Sequence, residues 1–202
     1  MDLRVTLKAL SVALVCGYAT FSVAQELSAD RSGPASSSDV VGDVQTMLNR
    51  LGTLTAPEDA GEATRLAGEI LERWTHSGSP TLDLLLVRGK DAIGVGELNQ
   101  AISHLTALTD HAPDFAEGWN QRATAFYLMD RYGEALSDIE QVLILEPRHF
   151  GALSGLGVIL EGMGEDKAAL KALRAAHQVY PTEANVNSAI ERLERQTGER
   201  TL

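Results

Sequence analysis

Apolar and small residues recur along this chain with the 3.6-residue period of amphipathic helices. The pattern is clearest between Ala116 and His149. Within this stretch the apolar or small residues at helical spacing are Trp119, Ala123, Phe126, Ala135, Ile139 and Val142. Asp130 lies between the two halves of this stretch, and Pro147 follows the second half, where a helix cannot continue through it. The pattern predicts two antiparallel amphipathic helices joined by a tight turn near Asp130.

The same pattern occurs in register 34 residues earlier, at 82–115, and 34 residues later, at 150–183. The shared positions hold small residues and a closing proline: Gly89, Ala123 and Gly157; Ala101, Ala135 and Ala169; and Pro113, Pro147 and Pro181. The small residues are expected to face each other so that the two helices of a unit approach closely. One helix pair cannot bury its own apolar face, so three units in register predict a continuous stack.

The repeated unit resembles the tetratricopeptide (TPR) repeat, whose motif runs Trp, Leu, Gly, Tyr, Ala, Phe, Ala, Pro. The middle unit meets that order with Trp119, Arg122, Ala123, Phe126, Ala135, Ile139, Val142 and Pro147, and only Arg122 departs plainly. The resemblance implies an all-α TPR solenoid with three full repeats at 82–115, 116–149 and 150–183. It also implies a protein-interaction scaffold without catalysis. The layout is similar to small periplasmic TPR proteins of Gram-negative bacteria, some of which support cell-envelope integrity.

Weaker helical patterns flank the three units. Residues 40–80 predict a degenerate repeat or N-terminal cap, with one helix after an Asp39 N-cap and a second helix that carries Ile70 and Trp74 on its apolar side. Residues 184–197 predict a C-terminal capping helix, with Val186, Ile190 and Leu193 facing inward. These flanks would close the two ends of the stack.

The first 24 residues have the composition of a secretory signal peptide. Arg4 and Lys8 precede an apolar run, and Ala24 ends a short stretch of small residues suited to cleavage. Two alternatives are an uncleaved N-terminal anchor and lipidation at Cys16, although Val15 before that cysteine is disfavoured. Residues 25–39 are rich in Ser, contain Gly33 and Pro34 and have almost nothing to bury, so they predict a disordered leader. The expected location is therefore periplasmic or secreted, with no membrane insertion after cleavage.

Composition narrows the possible functions. The chain of 202 residues is 44% hydrophobic and has a formal net charge of −11, which argues against nucleic acid or an anionic lipid surface as the main partner. Cys16 is the one cysteine, so a cleaved chain has no disulfide, no thiol catalysis and no cysteine-bound metal.

No catalytic constellation is evident in the sequence. His104 and His111 share a helix face, but they lie two turns, or roughly 10.5 Å, apart and cannot hold one metal ion. The Gly94-Val95-Gly96 stretch lacks the third glycine and the preceding strand of a dinucleotide loop, and it is interpreted as a turn. The sequence therefore predicts a protein that is not an enzyme and has no cofactor and no metal.

Arg88 and Arg122 occupy the repeat position usually held by leucine. One interpretation makes them clamps for a ligand carboxylate. The other packs their stems between helices and pairs their charged ends with acids, for example Arg122 with Asp138.

The TPR resemblance implies that the second, fifth, ninth and twelfth residues of each first helix face a concave groove. The candidate groove residues are Asp83, Leu86, Lys90, Glu117, Asn120, Thr124, Tyr127, Ser154, Val158 and Glu161. The first helix of the middle unit is expected to keep one free face, with a functional centre at Asn120, Thr124 and Tyr127. These mixed side chains suit a peptide or protein partner. Lys90 is the one basic residue among them, so they do not match the carboxylate clamp of chaperone-binding TPR domains. The alternative function is a self-associating subunit of an envelope assembly.

Overall fold

The computed structural model describes residues 37–199, and every regular element in that range is helical. The predicted signal peptide and most of the predicted leader lie outside the described residues. A short 3-10 turn at Pro57–Asp59 leads into the second of nine α-helices within that range. These helices are α1 (Ser37–Thr53), α2 (Ala60–Trp74), α3 (Pro80–Gly94), α4 (Leu98–His111), α5 (Ala116–Leu128), α6 (Tyr132–Leu145), α7 (Phe150–Gly162), α8 (Asp166–Val179) and α9 (Ala184–Thr197). Helix α1 begins two residues before the predicted Asp39 cap.

Helices α3–α4, α5–α6 and α7–α8 form three helix pairs that follow the 34-residue period. The turn inside each pair contains one residue with positive φ at the equivalent position: Gly96 at 79°, Asp130 at 60° and Gly164 at 80°. Asp130 is the single non-glycine residue with positive φ among the described residues, and its carboxylate accepts a hydrogen bond from the Tyr132 hydroxyl at 2.8 Å. The all-α fold predicted from the period is confirmed.

A small residue allows close approach of the two helices inside each pair. A Cβ atom on Gly157 would lie 2.5 Å from Cγ of Leu173, and one on Gly89 would lie 2.5 Å from Cγ of Leu105. Ala169 lies beside Gly157 as expected, with its carbonyl oxygen 3.4 Å from that Cβ position, while the side chain nearest to each glycine is a leucine. In the middle pair the equivalent residues are Ala123 and Ile139, which are both buried. The middle pair thus combines alanine with the β-branched isoleucine, whereas the first and third pairs combine glycine with leucine.

The N-terminal pair α1–α2 does not stand in front of the first repeat as a cap would. Its buried residues Leu48 and Ile70 share one apolar core with Leu170 of α8 and Leu193 of α9. The buried residues of the first repeat, such as Leu105, form a separate core. The N-terminal pair therefore packs near the third repeat.

Polar contacts locate this pair more closely. Arg148, in the turn between α6 and α7, donates to Asn49 Oδ1 at 2.6 Å. Tyr180, in the turn after α8, donates to Thr64 at 3.3 Å. Both turns connect a second helix to the next first helix, so α1–α2 lies along the edge of the stack where second helices end and first helices begin.

Helix α9 closes the C-terminal end as predicted, with Val186 and Leu193 buried. Arg192 on this helix forms an ion pair with Glu161 at the end of α7, with Nη2 3.0 Å from Oε2. Hydrogen bonding to Glu161 raises the pKa of the Arg192 guanidinium, so this pair stays charged. No helix among the described residues is long and apolar enough to cross a membrane.

Candidate functional site

The first helices of the three repeats, α3, α5 and α7, lie side by side and carry the predicted groove residues. Helix α5 contacts α3 on one side and α7 on the other. The partly exposed members of the predicted set are all on the outer helices: Asp83, Lys90, Ser154, Val158 and Glu161. We call these five residues the open strip.

The central helix is more enclosed than the sequence suggested. Asn120, Thr124 and Tyr127 are 4%, 8% and 9% exposed, and Glu117 is 4% exposed. The prediction that the first helix of the middle unit keeps a free face is therefore wrong. Neighbouring first helices cover α5 from both sides, which the pattern of one repeat cannot reveal. Leu86 on α3 is also buried, because it belongs to the apolar core that contains Ala125 of α5.

A small pocket remains between α5 and α7. Asn120, Thr124, Tyr127 and Val158 line it, and its floor includes Ile139. Its volume is about 20 Å³, which is room for one water molecule or a methyl group. The predicted centre at Asn120, Thr124 and Tyr127 therefore forms the wall of a small, mainly apolar pocket and is not a free polar surface.

A buried carboxylate–imidazole pair lies at the N-terminal ends of α5 and α7. Glu117 accepts hydrogen bonds from Asn120 at 3.0 Å and from Gln121 at 2.6 Å, and its Oε2 lies 3.2 Å from His149 Nε2. His149 is fully buried, and its Nδ1 accepts the backbone N–H of Ala152 at 3.1 Å. Since Nδ1 accepts this bond, the ring proton lies on Nε2 and is donated to Glu117.

The network holds Glu117 in its charged form. Burial alone would raise the pKa of its carboxyl, but the hydrogen bonds from His149 and Gln121 and the positive charge of Lys90 hold that pKa below its usual range. The pair also has no free catalytic nitrogen, because one ring nitrogen of His149 caps α7 and the other bonds Glu117. Its role is therefore to fix the ends of two neighbouring first helices.

Trp74 at the end of α2 covers this buried pair. Its ring stacks on His149 with centroids 4.1 Å apart and an interplanar angle of 12°. Phe150 lies against the same indole at 5.3 Å. The helical spacing predicts that Trp74 lies on an apolar helix face, but it does not predict the partner of this ring. The sequence feature that could have indicated this contact is His149, which lies directly before α7. The residues at the equivalent position of the other units are Phe115 and Glu183.

A larger opening lies beside Trp74, between the N-terminal pair and the turns of the first two repeats. We call it the edge crevice. Its volume is about 970 Å³, and its apolar walls include Val44, Trp74, Leu82, Phe115 and Leu145. None of the predicted groove residues except Glu117 lines it. Sequence reasoning missed this opening because it exists only where separate elements meet.

Arg122 is a structural residue, as the packing interpretation predicted. Its guanidinium forms two hydrogen bonds of 2.8 Å with the carboxylate of Asp138 and a third of 2.9 Å with Thr109. It also stacks over the Trp119 ring at 4.7 Å. Asp138 is 4% exposed, so this ion pair is largely removed from water. Arg88, the equivalent residue in the first repeat, is exposed.

Among residues 37–199, no group of His, Asp or Glu side chains is arranged to hold a metal ion. His104 and His111 remain on the same helix, α4.

Comparison with known proteins finds a relative by sequence and several structural neighbours. No family model matches the chain. A TPR repeat-containing protein of Rhizobium etli is 39% identical over 149 residues, which cover 73% of this chain and 73% of that protein. The first TPR domain of Spaghetti, solved with an HSP90 peptide, has a TM-score of 0.57 at 18% identity and covers 60% of this chain and 96% of that one. A crystal structure of MamA protein has a TM-score of 0.55 at 21% identity, over 78% of this chain and 84% of that one. At these identities the structural likeness concerns the fold alone.

Proposed function

This chain belongs to the tetratricopeptide-repeat family, and from that premise we propose that it is a non-catalytic adaptor that binds a segment of a partner protein. The observation that carries the proposal is the open strip beside the small pocket between α5 and α7. Val158 and Tyr127 supply apolar contact there, and the partly exposed Ser154 lies one helical turn before Val158 on α7. A shallow surface of this composition suits a peptide side chain better than a small polar substrate.

The contacts of the Glu117–His149 pair support the non-catalytic part of the proposal. Glu117 and His149 are the kind of residues that act in proton transfer. His149, however, is fully buried beneath Trp74 and both of its ring nitrogens are bonded. The Glu117 carboxylate borders the edge crevice, but it already accepts hydrogen bonds from Asn120, Gln121 and His149. A structural neighbour, the first TPR domain of Spaghetti, was solved with a bound peptide. In this chain, however, Lys90 is the one basic residue among the predicted groove positions, so an acidic peptide terminus is not the favoured ligand.

The location is part of the same proposal. The basic start, apolar run and small residues of the first 24 positions support export to the periplasm or secretion. The proposed role in maintaining the cell envelope rests on the resemblance to small periplasmic TPR proteins. Amino-terminal sequencing of the protein from a periplasmic fraction tests this. A first residue of Gln25 is the expected result, and an intact Met1 in the cytoplasmic fraction would contradict it.

Site-specific photo-crosslinking tests the binding surface. A photoreactive residue at Val158 should capture a second protein in cells, because that position borders the small pocket. The matched control is Ile144, which is 65% exposed on the second helix of the middle repeat. If positions 158 and 144 capture the same proteins to the same extent, the strip is not a selective binding surface.

A second candidate function is self-association in an envelope assembly. Leu84 and Val87 on α3 are 47% and 50% exposed, because within residues 37–199 the N-terminal pair packs elsewhere and does not stack on the first repeat. Sedimentation velocity over a range of concentrations tests this candidate. A dimer that dissociates in the Val87→Asp variant, but not in Ile144→Asp, is the expected result, whereas a monomer at all concentrations would rule it out.

A further inference from the structure

The edge crevice is large enough for a ligand of its own. Its volume of about 970 Å³ lies at the upper end of the roughly 300–1,000 Å³ that is usual for ligand pockets. Apolar side chains from four separate parts of the fold form its walls: Val44 on α1, Trp74 on α2, Leu82 on α3 and Phe115 before α5. Binding in this crevice would therefore bridge the N-terminal pair and the first two repeats.

The charges around the crevice favour a cation. The carboxylates of Glu72, Asp114, Glu117 and Glu146 line it, together with Arg73 and the imidazoles of His76 and His111. Glu117 is already bonded to His149, which leaves the other three carboxylates to receive a ligand. Arg73 is paired with Asp43 at 2.8 Å, so its charge is already compensated. Burial raises the pKa of the Glu146 carboxyl, which shows that its negative charge is poorly solvated in this position. A positively charged group in the crevice would stabilise that charge.

Trp74 supplies a second, independent observation. This residue is 9% exposed, and its indole Nε1 is covered without a hydrogen-bond partner. A buried indole N–H normally has an acceptor, because leaving it unpaired costs free energy. The other tryptophan, Trp119, follows this rule and donates to the carbonyl of Pro113 at 3.0 Å. A carbonyl oxygen of an extended peptide in the crevice could accept this N–H once the side chains that cover Nε1 move aside.

We propose that the edge crevice is a binding site, separate from the open strip, for an extended peptide segment that carries lysine or arginine next to apolar side chains. The apolar residues of the segment would pack on Phe115 and Leu82, and its cation would lie near Asp114 and Glu146. This inference rests on the proposed function in that it names one class of partner segment and the surface that receives it. It differs from the proposed function in the location of the binding surface, which is the edge of the stack instead of the open strip.

The two tryptophans provide an internal test by nuclear magnetic resonance. The full-length 15N-labelled protein is titrated with a twelve-residue peptide of alternating valine and lysine. The indole signal of Trp74 should shift as its N–H gains an acceptor, while the signal of Trp119 should stay in place because its N–H is already bonded. Control peptides replace every lysine by glutamate or every valine by serine, and both should bind at least about tenfold more weakly.

Substitutions test how much the acidic side chains of the crevice contribute to peptide binding. The pair Asp114→Asn and Glu146→Gln should weaken binding of the valine–lysine peptide by about threefold to tenfold, in line with two partly solvated charge contacts. The matched control is Glu140→Gln, an exposed acid on α6 that does not line the crevice, and it should leave the affinity unchanged. Circular dichroism of each variant checks that the helical content is retained.

Several outcomes would overturn the inference. One is a Trp74 signal that does not move at saturating peptide, and another is equal affinity for the glutamate peptide. A shift of Trp74 that depends on protein concentration without peptide would point instead to a second copy of the chain. If the peptide perturbs signals around Val158 and leaves Trp74 unchanged, the crevice inference fails while the proposed adaptor function stands. Crosslinking at Val158 tests that function independently.

Discussion

The indole of Trp74 stacks on the imidazole of His149, with ring centroids 4.1 Å apart, and this contact joins the N-terminal helix pair to the repeat stack. The same imidazole caps α7 through Ala152 and bonds Glu117 at the start of α5. One histidine therefore connects three elements: α2, α5 and α7. The attachment of the N-terminal pair and the alignment of the central helices are expected to depend on each other.

The first prediction concerns the attachment of the N-terminal pair. Trp74→Ala should destabilise the packing of the N-terminal pair against the repeats by about 3–5 kcal/mol, the usual cost of removing a buried aromatic side chain. Hydrogen exchange measured by mass spectrometry should then show faster exchange in α1 and α2, with little change in α4. The control is Trp74→Phe, which retains much of the ring stacking. Equal acceleration in all helices after Trp74→Ala would show that the N-terminal pair does not unfold separately.

The second prediction concerns pH. The folded pKa of Glu117 is below its usual value of 4.5, so its stabilising contribution is complete above about that pH and is lost as pH falls through the lower folded value. Glu117→Gln should lower the free energy of unfolding at pH 7 by about 1–3 kcal/mol, because a charged acceptor of buried hydrogen bonds is lost. It should also reduce the further loss of stability on acidification.

Thermal unfolding followed by circular dichroism between pH 3 and pH 7 measures both effects. Glu140→Gln serves as the control, because it removes an exposed carboxylate from the neighbouring helix α6. Parallel curves of melting temperature against pH for the wild type and Glu117→Gln would contradict the proposed role of the buried carboxylate.

The third prediction concerns the buried ion pair between Arg122 and Asp138. Arg122→Met should destabilise the fold by about 3–5 kcal/mol, because the Asp138 carboxylate would remain buried without its cation. Adding Asp138→Leu should recover much of this loss. Urea denaturation measures both variants. Arg131→Met, which breaks the exposed ion pair with Glu134, should change stability by less than about 1 kcal/mol. Similar losses for the two arginine variants would contradict the burial argument.

The fourth prediction compares two glycines on α7. Gly157→Ala should destabilise by about 1–3 kcal/mol, because its Cβ would lie 2.5 Å from Cγ of Leu173 and the leucine would have to move. Gly155→Ala should be neutral or stabilising by up to about 1 kcal/mol, since its Cβ would meet Ile139 at an ordinary 3.7 Å and alanine favours helices.

A rescue variant tests the cause. Combining Gly157→Ala with Leu173→Ile reproduces the Ala123 and Ile139 pair of the middle repeat and should recover part of the lost stability. Chemical denaturation of the single and double variants is sufficient. Failure of the isoleucine to improve on Gly157→Ala alone would show that the clash with Leu173 is not the source of the loss.

Much of the fold could be predicted because its causes are local. The spacing of Ala135, Ile139 and Val142 marks the buried side of one helix, and Pro147 marks its end, since helix period and proline geometry act over a few residues. The pairing of Arg122 with Asp138 could also be predicted, because both belong to one helix pair whose register the repeat fixes. For the same reason the sequence predicted α9 and the inward direction of Val186 and Leu193.

The surface could not be predicted in the same way. Tyr127 occupies a position that a single repeat leaves open, yet α3 and α7 close around α5 and leave that side chain 9% exposed. The sequence by itself determined the helices, their period and their pairing, because these follow from contacts between residues that are near each other in the chain. Only the tertiary structure decided that Trp74 packs on His149 and that a crevice opens beside it. Both features arise where elements that are distant in sequence pack against each other, and the spacing of residues within one element does not predict such packing.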